Sequence, residues 1–163
     1  MILRTKGKVL NIEEYLVGKV TRNVESLDEN TFLILDNNTN KLPSVKFLGV
    51  LTTQLDYKLK NNEKVVYNIP SLEHLEEGDI VSVSPDGKIN TLYRVNSYHN
   101  TILVTERCNS NCLMCSQPSK DRNDVEILYE INKKVINLIP KNCVELGISG
   151  GEPTLAGEYF FYF

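Results

Sequence analysis

Residues 101–115 read Thr101-Ile-Leu-Val-Thr-Glu-Arg-Cys-Asn-Ser-Asn-Cys-Leu-Met-Cys115, an apolar run followed by three closely spaced cysteines. The apolar part, residues 101–105, is typical of a short buried strand. This strand delivers the chain to Cys108. The three cysteines are therefore expected on a loop that begins directly after a strand.

A helix is predicted after the cysteine loop, because apolar residues recur at helical spacing between 125 and 138. Asn123 and Glu126 form an Asn-x-x-Glu variant of the capping box, and Pro140 marks the stop. The next apolar run, 144–149, is short enough for a buried strand. The order strand, cysteine loop, helix, strand predicts one βαβ unit with parallel strands.

The first part of the chain predicts a small β-rich domain. Residues 31–35 are a short β-branched and aromatic run, which is typical of a strand. Residues 79–95 predict a hairpin, with turn chemistry at Pro85-Asp-Gly-Lys88. We therefore divide the chain into a β-rich N-terminal domain, residues 1–98, and an α/β domain, residues 99–163.

Composition and charge limit the classes of function. The chain is 41 % hydrophobic and 24 % charged, as in ordinary globular proteins. A net charge of −3 and the lack of a Lys or Arg run give no reason to expect nucleic acid as a partner. The first eight residues carry charges and no apolar signal segment, and no long apolar run follows. We therefore expect no association with a membrane. We expect a cytoplasmic protein, where close-set cysteines bind metal or do redox chemistry more often than they form disulfides.

Three cysteines at this spacing favour an iron–sulfur cluster. Three thiolates can hold three irons of a [4Fe–4S] cluster and leave the fourth iron open, whereas clusters that only carry electrons take four cysteines. The alternatives are a zinc knuckle, a Cys-x-x-Cys redox pair and unligated core thiols. A structural zinc site takes four ligands, and the nearest further donors are His99 and, beyond the helix, Cys143.

The segment Gly150-Gly-Glu-Pro-Thr154 follows the second predicted strand. Paired glycines let backbone groups approach a ligand closely, because no Cβ stands in the way. Parallel strands would bring this segment beside the cysteine loop, at the edge where α/β folds bind their ligands. An ordinary turn that leads into a helix is the alternative.

Together, Cys-x3-Cys-x2-Cys and Gly-Gly-Glu-Pro-Thr make residues 101–157 resemble the opening βα units of a radical S-adenosylmethionine enzyme. The resemblance implies a partial βα barrel, of which this chain holds the first strand, helix and strand. It also implies that the cofactor's amino and carboxylate groups chelate the open iron of a cluster ligated by Cys108, Cys112 and Cys115.

The same resemblance assigns cofactor-binding residues. The backbone of Gly150, Gly151 and Glu152 would hold the amino group of S-adenosylmethionine. The residue before the third cysteine is commonly aromatic in this superfamily, and here it is Met114. Methionine is bulky and polarizable, so it is expected to pack near the adenine.

Enzymes of this superfamily transfer one electron, supplied by a donor, from the reduced cluster to the sulfonium. The products are methionine and a 5′-deoxyadenosyl radical, which takes a hydrogen atom from the substrate. Residues 77–87 and 103–118 are similar to the radical maturases of the His-Xaa-Ser system. That similarity implies a ribosomally made peptide with His-Xaa-Ser repeats as substrate and a second radical maturase as partner. The alternative function is a non-catalytic iron–sulfur or zinc-binding module.

Three further expectations concern the length of the chain, His74 and Cys143. About six βα units would need more chain than follows Cys115, so we expect an incomplete barrel that is inactive alone. His74 lies among acidic residues and is expected at the surface. Cys143 is expected to be a core thiol.

Overall fold

The structure is a computed structural model that describes residues 3–35, 44–58, 62–110, 112–115 and 120–162. The chain divides into an N-terminal unit, Met1–Asn96, and a C-terminal unit, Ser97–Phe163. Each unit has a sheet of its own. No helix among the described residues combines the length and the apolar character that crossing a membrane would require.

The N-terminal unit is built on one mixed sheet of eight strands in the order β1-β8-β7-β3-β4-β5-β6-β2. Neighbours from β3 to β6 pair in parallel, and the other pairs are antiparallel. The strands are β1 Arg4–Lys6, β2 Lys8–Leu10, β3 Leu16–Thr21, β4 Thr31–Leu35, β5 Gly49–Thr52, β6 Val65–Tyr67, β7 Ile80–Val83 and β8 Lys88–Tyr93.

This sheet closes on itself through Gly7. The two edge strands, β1 and β2, are separated by that single residue, so one extended segment pairs first with β8 and then with β6. The Gly7 N–H donates to the Gly87 carbonyl at 3.0 Å. A Cβ on Gly87 would lie 2.1 Å from the Gly7 oxygen, and Gly87 has a φ of +83°. Only glycine fits this crossing.

Side chains alternate between the inside and the outside of the closed sheet, as the period of a strand requires. In β4, Phe32 and Ile34 belong to the inner cluster, while Leu33 and Leu35 belong to an outer one. The inner cluster consists of Ile12, Leu16, Val20, Phe32, Ile34, Leu51, Val66, Ile69, Leu72, Leu75, Val81, Val83 and Ile89. Both clusters are buried, which explains why β4 and β5 show no polar side.

A buried carboxylate holds the segment between β6 and β7. Asp79 is fully buried and accepts the backbone N–H groups of Glu76, at 3.0 Å, and Val95, at 2.9 Å. The Arg94 guanidinium is 4.0 Å from the same carboxylate. His74 is half-buried, not exposed as predicted, and its Nδ1 has no hydrogen-bond partner among the described residues. Burial lowers the pKa of His74, and the positive charge of Arg94 lowers it further, against the opposing effect of Asp79.

The C-terminal unit contains β9 Asn100–Leu103, α1 Val125–Leu138, β10 Leu146–Ser149 and a 3₁₀ segment, Pro153–Tyr162, kinked at Gly157. β9 and β10 pair in parallel, with Ile102 opposite Ile148. The predicted helix is confirmed over residues 125–138. It buries Val125, Ile131 and Val135.

The predicted α/β fold class, a partial βα barrel, is wrong. Strands make up 29 % of the described residues and helices, 3₁₀ segments included, 19 %, and the eight-stranded mixed sheet dominates. The C-terminal unit has one strand-helix-strand order, but it is a minor part of a mostly β chain. The physical reason is that the N-terminal strands pair across long stretches of sequence, which local patterns do not reveal.

We predict that Gly87→Ala destabilises the N-terminal unit far more than Gly78→Ala. Both glycines have positive φ, +83° and +86°, so either alanine costs about 1–2 kcal/mol of backbone strain. At Gly78 the added Cβ would be 3.3 Å from a Val95 methyl, whereas at Gly87 it meets a backbone oxygen at 2.1 Å. The second clash should add about 2 kcal/mol. Urea unfolding of both variants measures the difference, and equal losses would contradict closure at Gly87.

We also predict that the N-terminal unit loses stability as the pH falls from 7 to 5. Because the folded-state pKa of His74 is lowered, the unfolded chain binds more protons in this range, and the free energy of unfolding decreases as the pH falls. His74→Gln should remove this part of the pH dependence. His99→Gln is the matched control, since His99 is exposed. The same slope in both variants in urea titrations would show that His74 is not responsible.

Candidate metal and cofactor site

Parallel pairing brings the glycine segment to the residues that precede Cys108. Beyond the ends of β9 and β10, the Gly151 N–H donates to the Thr105 carbonyl at 2.9 Å. The Glu152 N–H then donates to the Arg107 carbonyl at 2.8 Å. The ladder therefore continues past both strands and ends one residue before the first cysteine.

Both glycines are required by this close approach. A Cβ on Gly150 would lie 2.6 Å from the Thr105 oxygen. A Cβ on Gly151 would lie 2.2 Å from the Arg107 oxygen and 2.9 Å from the Cys108 Cβ. Residues 105–108 of the same chain exclude a side chain at both positions, since real Cβ atoms are not found so close to backbone atoms.

The three cysteines differ in their surroundings. Cys108 is half-buried, and the Ser110 N–H donates to its Sγ at 3.4 Å. Cys112 and Cys115 are exposed and joined by a turn, in which the Cys115 N–H donates to the Cys112 carbonyl at 3.0 Å. Residues 111 and 116–119 lie outside the described part of the chain. Within that part, no three Cys, His, Asp or Glu side chains are grouped so that they could hold a metal ion.

The two remaining predicted cofactor residues, Met114 and Glu152, differ in their surroundings. Met114 is fully exposed at the tip of the cysteine turn, next to the equally exposed Leu113. The Glu152 carboxylate accepts the Thr154 hydroxyl at 2.7 Å and the Thr154 N–H at 3.1 Å. These hydrogen bonds from Thr154 lower the pKa of Glu152, so its side chain is an anion engaged with its own segment.

Asp124 is the residue that the sequence did not point to. It occupies the N-cap of α1 but caps no helical N–H with its side chain. Its carboxylate instead accepts the Thr105 hydroxyl at 2.6 Å and the Glu106 N–H at 2.8 Å. The predicted capping box of Asn123 and Glu126 is therefore wrong. Aspartate before a helix usually signals a cap, and no local pattern reveals a partner far upstream.

Ion pairs tie the two ends of the cysteine loop. The Glu106 carboxylate binds the Lys120 ammonium at 2.5 Å and the Arg122 guanidinium at 3.0 Å. The Lys120 N–H also donates to the Glu106 carbonyl at 3.4 Å. Because the Lys120 and Arg122 side chains are 44 % and 64 % exposed, each pair contributes little stability by itself. Together they join the segment that leaves the cysteine loop, residues 120–122, to Glu106, which precedes the loop.

Cys143 and His99 belong to the opposite edge of the two-stranded sheet. Both precede their strands, β10 and β9, whereas the cysteine loop follows β9. Cys143 is half-buried, not the core thiol that was predicted, and donates to the Glu145 carbonyl at 3.4 Å. His99 is exposed, with its Nδ1 3.3 Å from the Glu145 carboxylate. A four-residue strand, about 13 Å long, separates this edge from the cysteine loop.

Comparison of this chain with protein-family models, with curated proteins and with solved structures gave no match.

We predict that Gly151→Ala displaces the chain at Cys108. The new methyl group would clash with the Arg107 oxygen, so the two segments must separate and expose the half-buried thiol. Alkylation of Cys108, followed by peptide mass mapping, should become several-fold faster, while Cys112 and Cys115 react as before.

Gly147→Ala is the control for that experiment. Its Cβ would meet a Thr101 hydroxyl at 3.2 Å, a contact that a side chain can relieve. Unchanged reactivity of Cys108 in Gly151→Ala would mean that the glycine segment does not hold the start of the cysteine loop.

Proposed function

We propose that this protein is a radical S-adenosylmethionine enzyme that matures peptides, with Cys108, Cys112 and Cys115 as ligands of a [4Fe–4S] cluster. One observation carries the proposal. The Gly150 to Glu152 segment is hydrogen-bonded to the residues directly before Cys108, so the two motifs that suggest this chemistry are neighbours in space. Neighbouring placement is what a shared site requires, and sequence separation alone did not guarantee it.

The thiols fit the proposed cluster chemically. Soft thiolates are the preferred ligands of iron–sulfur clusters. The Cys108 Sγ donates to the Ser110 carbonyl and accepts the Ser110 N–H, both at 3.4 Å. Only the N–H contact would remain with a thiolate, which is the form that binds iron. Cys112 and Cys115 are solvent-exposed and close in sequence, so they are open to incoming metal. Metal binding is coupled to the ordering of its ligands, so the loop is expected to close around the cluster as it loads.

The glycine segment is suited to hold an amino group. An amino group donates hydrogen bonds, so it needs carbonyl oxygens as partners. The N–H groups of Gly151 and Glu152 are already used to fix the segment against Thr105 and Arg107. The Glu152 carbonyl already accepts the Leu155 N–H at 3.0 Å, and a carbonyl oxygen has a second lone pair. We assign the carbonyl side of Gly150 to Glu152 to S-adenosylmethionine, and the exposed Met114 to its adenine. The bound cofactor and reduced cluster would supply one-electron chemistry for taking hydrogen from a substrate.

The number of ligands favours a cluster with an open iron. Cys143 and His99, the other thiol and imidazole donors of the C-terminal unit, stand at the far edge of its sheet. A structural zinc site needs four ligands, and three cysteines provide one too few. A three-thiolate cluster needs no fourth protein ligand.

The substrate and partners follow from the resemblance of residues 77–87 and 103–118 to His-Xaa-Ser maturases. We assign a ribosomally made peptide with His-Xaa-Ser repeats as substrate, a second radical maturase as partner and a separate electron donor. The net charge of −3 gives no attraction to nucleic acid. A cytoplasmic location fits this assignment, since the four cysteines of the described residues are free thiols.

Anaerobic reconstitution with iron and sulfide tests the proposal. The protein should take up about four irons per chain with the broad visible absorption of thiolate–iron bonds. Cys108→Ala, Cys112→Ala and Cys115→Ala should each lose most of the iron. Cys143→Ala is the matched control and should retain it, because Cys143 lies at the other edge. Zinc as the sole bound metal, or equal iron in all four variants, would refute the cluster.

A further inference from the structure

We propose that Asp124 is a positioning residue for the cluster loop, acting through Thr105 on Cys108. The inference rests on the proposed function and adds a residue that no motif contains. Its starting observation is an aspartate that stands at the N-cap of α1 yet leaves the helical N–H groups uncapped by its side chain. A capping side chain usually stabilises a helix by about 1 kcal/mol. Here that role is given up for two contacts with the chain before Cys108.

The two carboxylate oxygens of Asp124 order three consecutive residues. One oxygen accepts the Thr105 hydroxyl at 2.6 Å, and the other accepts the Glu106 N–H at 2.8 Å. An ionised carboxylate only accepts, so the hydroxyl proton must point toward it. The Thr105 oxygen is then free to accept the Arg107 N–H, at 3.1 Å. The carboxylate thus sets the backbone of residues 105–107.

Thr105 is the place where this ordering meets the glycine segment. Its side chain is fully buried, and its carbonyl accepts the Gly151 N–H. The Arg107 carbonyl accepts the Glu152 N–H, one residue before Cys108. A second helix side chain supports the same junction, since the Asn132 amide donates to the Leu103 carbonyl at 2.8 Å. Helix α1 therefore fixes the spacing between Cys108 and the cofactor-binding segment.

Groups that orient metal ligands from behind commonly change metal affinity 10–100-fold when they are removed. Asp124→Ala removes both acceptors without removing a helix cap. Thr105→Val removes only the hydroxyl and keeps the buried shape. Thr105→Ser keeps the hydroxyl and removes the methyl group. Asp121→Ala removes an equal charge from an exposed position three residues away.

The experiment has two arms. In the cluster-free chain, amide exchange of residues 105–107 should be about tenfold faster in Asp124→Ala and Thr105→Val, and unchanged in Asp121→Ala. In the reconstituted chain, a ferrous chelator should extract the cluster about tenfold faster from the same two variants. The electron paramagnetic resonance spectrum of their reduced cluster should also shift, and Thr105→Ser should restore both properties.

The outcomes separate the two proposals. If the unmodified chain takes up no iron, the proposed function fails, and the positioning role fails with it. If the unmodified chain binds the cluster but extraction and spectrum are the same in Asp124→Ala, only the positioning role is refuted. Faster exchange with an unchanged cluster would show that the contact is purely structural and would also overturn the proposal.

Discussion

Both units depend on a glycine that lies against a carbonyl oxygen. In the N-terminal unit, Gly87 touches the Gly7 backbone where one extended segment changes partners and closes the sheet. In the C-terminal unit, Gly151 touches Arg107 where the chain enters the cysteine loop. Any side chain at either position would push apart two backbones that are hydrogen-bonded to each other. The inner core and the candidate site are both arranged around such a crossing.

Local signals were sufficient for the elements that form from neighbouring residues. Strand β4 matches the run predicted at 31–35, the hairpin of β7 and β8 is confirmed, and α1 covers the predicted residues 125–138. The closed sheet could not be predicted in the same way. Its central strands are buried on both sides and so lack alternation, and a three-residue strand such as β1 carries almost no pattern. The fold class was misjudged because the best-patterned part of the chain is the smaller one.

The site shows the same division between local and distant information. Spacing identified the three cysteines and the glycine segment, and the parallel register of β9 and β10 explains why they become neighbours. Spacing could not show that Asp124 turns from its own helix to Thr105, nor that Cys143 stands half-exposed before β10. Hydrogen bonds between distant residues are chosen by the completed fold. A residue such as Asp124, which does not cap its own helix, is found by looking for the hydrogen-bond partners of its carboxylate in the folded structure.

The filled interior of the N-terminal unit has a consequence for recognition. Thirteen buried apolar residues, from the strands, the 69–75 segment and Ile12 between β2 and β3, occupy the inside of the closed sheet. Among the described residues, a small molecule inside the sheet would have to displace part of this core, which costs the packing contacts that those side chains make. A partner of this unit would therefore contact its exposed loops, which the packed core supports from within. Exchanging loop residues should therefore change the exposed surface, whereas exchanging interior residues should change only the stability of the sheet that supports it.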